Sequence, residues 1–319
     1  MKIPFFWMLL VLFSRSQAAG NLDEAIHLYG NGKFKQAAIL LQQLRNASPT
    51  EPDIRLWLGR SLLKSRQWDS AVREMEKAVQ LQPSNARYHL WLGRACGARA
   101  SHSVFFTALL WAHRVGKEFE TAAILAPNDL DSRFDLLEFY VNAPGIVGGG
   151  KEKAEAEART IANLDPRKGY TARATILEKN KNWDLARNEL TQATIDYPRY
   201  ANACTDLAEY LLGRRDFEGA LLYAKKALAL DSESKQAWLI AAAAATRLNT
   251  DLDQADKTLR ALAADTLGEN DPSFEEVYYW MGECYLARGD KAKARKAFES
   301  ALDFNPDYAQ AKNAIAESR

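Results

Sequence analysis

Histidine and cysteine are scarce in this chain, at four and three among 319 residues. The histidines are His27, His89, His102 and His113, and no two of them stand at a metal-ligand spacing. No Gly-x-Ser-x-Gly elbow occurs, which removes the platform of a common hydrolase nucleophile. A thiol catalyst needs a base beside it. Only Cys96 has histidines near it in sequence, His89 and His102. Excess charge is lacking too. The formal net charge is +1, and removing Lys2 and Arg15 would bring it to −1. A near-neutral chain has no strong sequence-independent attraction to nucleic acid. Strand-type segments are few, and Ala, Leu, Lys, Glu, Gln and Arg dominate, as helices prefer.

Long apolar runs are lacking with one exception, Ile3 to Phe13. Its 11 residues fall short of the span of about 20 that a membrane helix needs. Lys2 precedes the run, and Ser16-Gln17-Ala18 follows it with small residues where a signal peptidase reads. This pattern predicts a secretory leader, residues 1–18, cut after Ala18. The mature chain is then secreted or periplasmic. An uncleaved, membrane-anchoring N-terminal segment is the alternative. No cysteine follows the run, which argues against a lipoprotein anchor.

What the chain does have is a period. Pro49 and Pro83 are 34 residues apart, as are Ala37 and Ala71, Leu58 and Leu92, and Gly59 and Gly93. Such a period marks an array of one helical hairpin repeated. In the second unit Leu58, Gly59 and Leu62 share one stripe of a first helix. Trp68, Ala71, Met75 and Ala78 line the facing stripe of a second, which Pro83 stops. Gly59 and Ala71 mark the close approach of two backbones. The last full unit repeats the plan with Tyr278, Met281, Gly282 and Tyr285, then Ala294, Phe298, Ala301 and Pro306.

These residues resemble the tetratricopeptide repeat, whose first helix carries a Trp-Leu-Gly-Tyr spacing and whose second carries Ala-Phe-Ala-Pro. Ala37, Ala71, Ala154, Ala186, Ala220, Ala255 and Ala294 match its small residue on the second helix. The resemblance runs from about residue 21 to the C-terminus. It implies an all-α, right-handed superhelical solenoid over 19–319, of about eight repeats. The repeats are expected at 19–51, 52–85, 86–129, 130–168, 169–200, 201–234, 235–273 and 274–307, with a capping helix at 308–319. The three cysteines fall in different units, so disulfide pairing is not expected and each reads as a small buried hydrophobe.

The departures from the period are where function is added, because insertions in a solenoid map to its surface. Pro83 to Pro127 spans 44 residues and Pro127 to Pro166 spans 39. Ser232 takes the proline position of the sixth unit, and 265–273 reads as a loop rich in Gly, Asn, Asp and Pro. The first excess covers an apolar stretch containing Phe105, Phe106, Leu110 and Trp111. One helical stripe there packs on the array. The other is exposed unless a partner or a second copy covers it. The second excess contains Gly145-Ile-Val-Gly-Gly-Gly-Lys151-Glu152, close to the phosphate-binding loop spacing. Glu152 stands where that loop needs Ser or Thr, and a helix rather than a strand precedes it. The segment therefore reads as a helix-breaking turn that presents free amides, Ile146 and Val147.

Members of the resembled family commonly hold extended peptides on the concave face lined by the first helices. Carried over by register, that face would hold Leu56, Arg60 and Lys64, then Leu90 and Arg94, then Phe134 and Glu138. Glu209, Tyr279 and Glu283 would follow, making the groove basic first and acidic later. Arg60 and Arg94 would anchor an anion, with Leu56 and Leu90 as apolar contacts. The carboxylate clamp for chaperone tails is not supported, because Leu22 and Ile26 occupy its positions. The expected function is an exported scaffold for a protein or extended peptide, with no catalysis, no cofactor, no nucleic-acid partner and no stable membrane insertion once the leader is cut. Self-association stays open. The alternative is an assembly subunit of an envelope complex that uses the outer face and the 101–117 insertion. A remote alternative is an enzyme with His102 or His113 beside that insertion.

Overall fold

The computed structural model describes residues 20–317, and the leader predicted at 1–18 lies outside them. The described residues form α-helices joined by short turns, with no strand. They fall into two compact units that divide between Lys153 and Ala154. Each hairpin has a first helix, called A here, and a second, called B.

The N-terminal unit holds α1 (20–30), α2 (Phe34–Ala47), α3 (Pro52–Lys64), α4 (Trp68–Leu81), α5 (Ala86–Ser101), α6 (Phe105–Leu125) and α7 (Leu130–Asn142). A 3-10 turn, Gly145–Val147, leads to α8 (Lys151–Leu164), most of which belongs to the second unit. That unit continues with α9 (Pro166–Lys179), α10 (Trp183–Asp196), α11 (Ala201–Gly213), α12 (Phe217–Leu230), α13 (Lys235–Leu248), α14 (Leu252–Ala264), α15 (Phe274–Ala287), α16 (Lys291–Phe304) and α17 (Ala309–Glu317).

Local chemistry sets the boundaries. The side chains of Asn85, Asp129, Asp165, Asp216, Ser234 and Asp290 each accept a backbone N–H in the first turn of the following helix. Ser273 and Glu276 form a reciprocal capping box at α15. Pro52 and Pro166 sit in first turns, where a missing N–H costs nothing. Pro166 therefore opens α9, which moves the expected boundary between the fourth and fifth hairpins. The fifth hairpin starts at 166 instead of 169. The A-to-B turns of the regular hairpins each place a residue in the left-handed region. Gly32 and Gly289 supply it freely, whereas Arg66, Lys181 and Arg215 adopt it with φ of 61°, 59° and 64°.

Small residues let A and B approach. A Cβ at Gly59 would lie 2.7 Å from Met75 Cγ, and one at Gly93 or Gly282 would strike the ring of Phe119 or Phe298. Ala71, Ala186, Ala220 and Ala294 on the B helices are fully buried. Cys96, Cys204 and Cys284 are buried free thiols, and burial pushes Cys96 up to about 12.

The ten-residue excess of the third hairpin lengthens both its helices, α5 to 16 residues and α6 to 21, against 13 or 14 in the neighbouring α3, α4 and α7. His89 crosses from α5 to bind Glu118 of α6 through Nδ1 at 2.7 Å, while Nε2 lies 2.9 Å from the Pro83 carbonyl. The predicted loop at 265–273 is tied back by Lys235, whose Nζ lies 3.0 Å from Asp265 and 2.6 Å from the Thr266 carbonyl. No helix among the described residues is long and apolar enough to cross a membrane.

Candidate functional site

In the N-terminal unit the A helices touch along one line. Tyr29 of α1 meets Trp57 of α3 edge-on, with ring centroids 5.4 Å apart. One turn on, the Arg60 guanidinium lies 4.1 Å from the Trp57 ring centre, 4.0 Å from that of Trp91 on α5 and 5.0 Å from that of Tyr29. Arg94 follows, 4.7 Å from Trp91, and its Nε donates to Asp135 of α7 at 2.6 Å. Cations and aromatic faces therefore alternate across three helices, and Asp135 of a fourth ends the line. A guanidinium shed of water between ring faces is held more firmly than one at the open surface. Arg87 approaches the Trp57 ring at 5.8 Å and extends the ladder sideways.

This geometry sorts the expected groove residues. Arg60 is on the line but only 3 % exposed, so it braces the face instead of meeting an anion. Leu56 and Leu90, expected as apolar contacts, are core residues at 0 % and 5 % exposure. The correction has a simple cause: the A-helix stripe that faces the groove also faces the neighbouring A helices, and aliphatic side chains there are covered by them. Lys64 and Glu138 are exposed, and Phe134 and Arg94 are half-buried. Desolvation first, then Asp135, pushes the Glu138 carboxyl above its ordinary value, with Arg94 opposing. Register reasoning missed Trp57 and Trp91. They stand 34 residues apart, and that recurrence was the signal available.

The second expected surface divides the same way. Phe105, Phe106 and Leu110 are 70 %, 79 % and 74 % exposed at the start of α6, with Phe105 and Phe106 edge to face. Trp111 is half-buried and packs on the core, with the guanidinium groups of Arg99 and Arg114 each 5.9 Å from its ring. His102 stacks on Trp68 at 4.6 Å, and His113 is exposed on α6. The glycine turn packs against α6 and leaves Ile146 84 % exposed while burying Val147. Its amides are not free as expected. Those of Gly148, Gly149 and Gly150 donate to the carbonyls of Gly145, Pro144 and Tyr140. The preceding element is the helix α7, so neither requirement of a phosphate loop is met.

The C-terminal unit has its own A-helix face. Glu209 of α11 is open to solvent, yet protein encloses the groove around it. Desolvation first, then Asp206 and Glu276, pushes its carboxyl up to about 7. On α15, Glu283 pairs with Arg247 at 2.7 Å and Tyr279 is buried, its hydroxyl accepting from Arg247 at 3.1 Å. Asp206, Glu209, Glu276 and Glu283 thus stand in this unit, the last of them paired with Arg247.

Models of the tetratricopeptide repeat match residues 28–95, 171–235 and 275–308. Among solved structures the chain is similar to yeast Tom70, with 17 % identity, a TM-score of 0.58, and cover of 90 % of this chain and 58 % of that one. It thus spans little more than half of that protein, and the likeness shows the fold. It is also similar to TTC0263, a thermophilic TPR protein of Thermus thermophilus, with 17 % identity, a TM-score of 0.46, and cover of 77 % and 98 %. A third is YrrB, a TPR protein with an unusual peptide-binding site, with 18 % identity, a TM-score of 0.40, and cover of 63 % and 99 %. No curated protein matches the sequence.

Proposed function

Because the chain carries tetratricopeptide repeats, we propose that it is a non-catalytic scaffold that holds an extended segment of another protein. The segment lies on the A-helix face of the N-terminal unit. Arrays of this kind bind other chains as their common role, since stacked hairpins give long surfaces and no enclosed reaction chamber. The observation that carries the reading is the Trp57–Arg60–Trp91–Arg94 ladder. It fixes the face before a ligand arrives, which lowers the ordering cost of binding. Lys64 and Arg94 supply the cationic contacts and Phe134 the apolar one. An acidic group of the ligand competes with Asp135 for the Arg94 fork. The leader pattern at 1–18 adds export to this reading, and mass measurement of the mature N-terminus, starting at Ala19, tests that part.

A second reading is an assembly surface formed by Phe105, Phe106 and Leu110 at the start of α6 and by Ile146 in the glycine turn that packs against α6; their exposure supports it. Capture of partners by crosslinking in native extract separates the two. Loss from Lys64→Glu/Arg94→Glu with an unchanged melting temperature supports the ladder face. Retention there with loss from Phe106→Asp/Leu110→Asp removes it in favour of the hairpin tip.

A further inference from the structure

The C-terminal unit has a hollow that the repeat pattern does not call for. It lies over α13, between α12 and α14, and its volume is about 410 Å³, within the range of about 300–1,000 Å³ usual for small-molecule sites. Its cause is legible in register. Twelve residues separate the small A-helix residue from the buried B-helix alanine in Ala208–Ala220, Ala243–Ala255 and Gly282–Ala294. The residue before that small position is Leu207 in α11 and Met281 in α15, but Ala242 in α13. Two residues after it stand Tyr210 and Cys284, but here Ala245. The run Ala241–Ala245 thus lacks the bulk that the neighbouring hairpins carry at these positions, and Ala241, Ala242 and Ala245 line the hollow.

Apolar groups dominate the walls, with Trp238 at one side. Two lysines complete them from opposite helices, Lys225 of α12 and Lys257 of α14. Both are exposed, and neither is held by an ion pair among the described residues. Lys235 and Lys293 in the same unit are each tied to an aspartate. The one acid in the lining, Asp251, precedes α14, six positions before Lys257. A peptide laid in an apolar hollow would lose water from its backbone N–H and C=O groups and gain few partners there. A single alkyl chain has no such cost, and the lysine pair complements a negative head.

We infer that this hollow is a binding site for a free single-chain alkyl carboxylate, its tail on the alanine floor of α13 and its head between Lys225 and Lys257. The site is separate from the ladder face and its test does not depend on it. Calorimetry with decanoate below its micelle concentration, set against decyltrimethylammonium, reads both parts of the inference. The full chain binds decanoate at least tenfold more tightly than the cationic analogue. Ala242→Leu, which restores the bulk found in the neighbouring hairpins, weakens decanoate at least tenfold while the melting temperature holds or rises. Ala261→Leu does the same from the exposed α14 wall, should the Ala242→Leu substitution disturb the fold. Lys225→Glu/Lys257→Glu reverses the head-group preference. A brominated decanoate quenches part of the tryptophan emission in the wild type and not that part in Trp238→Phe. Absence of decanoate binding, equal binding by both filled variants, or equal affinity for the two head groups overturns the inference.

Discussion

The guanidinium carbon of Arg60 lies 4.0 Å from the ring centre of Trp91, one hairpin further along the chain. Trp57, one turn before Arg60 on the same helix, closes the other side at 4.1 Å. A single cation thereby joins α3 to α5 through ring faces. Removing either partner leaves the other in a site shaped for both.

A double-mutant cycle with Arg60→Met and Trp91→Leu, read by urea unfolding, gives a coupling of about 0.5–2 kcal/mol, the range for cation–ring pairs from exposed to desolvated. Additivity within the error of the cycle would mean that the two side chains are neighbours without being partners.

The His89 imidazole faces two acceptors, the Glu118 carboxylate and the Pro83 carbonyl. Both ring nitrogens therefore donate, which requires the charged form. The hydrogen bond to Glu118 is the main cause that raises its pKa above 6.5, against desolvation. For a group raised on folding, the stabilisation is full below the unfolded pKa of 6.5 and is lost as pH rises through the higher folded value. Thermal melting across pH 5.5–9 in wild type and His89→Gln checks this. The wild type loses stability over that window and the variant loses less. Parallel curves would contradict the assignment.

The glycine turn yields a contrast within one short segment. A Cβ at Gly149 would run into the backbone carbonyl of Ala143, whereas one at Gly145 meets nothing within 4 Å. Gly149→Ala costs about 1–3 kcal/mol, as overpacking against a rigid neighbour does. Gly145→Ala stays within about 0.5 kcal/mol of wild type, as open surface positions do. Chemical denaturation of the two variants side by side decides it.

Periodicity exposed the hairpins because packing positions must recur: Gly59 against Met75 and Gly282 against Phe298 are one contact made twice. Composition gave the loop at 265–273, since Asn, Asp, Gly and Pro break helices for local reasons. The boundary expected at 169 lies at 166 because proline is favoured both past a helix end and in a first turn, and only the start of α9 separates the two. The groove was half legible. Register put Arg60 and Arg94 on the A-helix face, but burial depends on the neighbouring repeat. Leu56 and Leu90 vanish beneath it, and Arg60 is enclosed by indoles that register had not placed there. The hollow over α13 went unnoticed for a related reason. Alanine suits any helix, so only comparison with the matching positions of α11 and α15 marks what Ala241–Ala245 lack.

The central claim, recognition of an extended protein segment on the A-helix face of the N-terminal unit, is tested most directly by site-specific photocrosslinking. A photoreactive residue is placed in turn at Lys64, at Glu138 and at Ile39, which is 59 % exposed on the B helix α2. The account predicts adducts with one partner chain from positions 64 and 138, their loss on adding Arg94→Glu, and none from position 39. Adducts that form equally at 39, or that persist with Arg94→Glu, would contradict it.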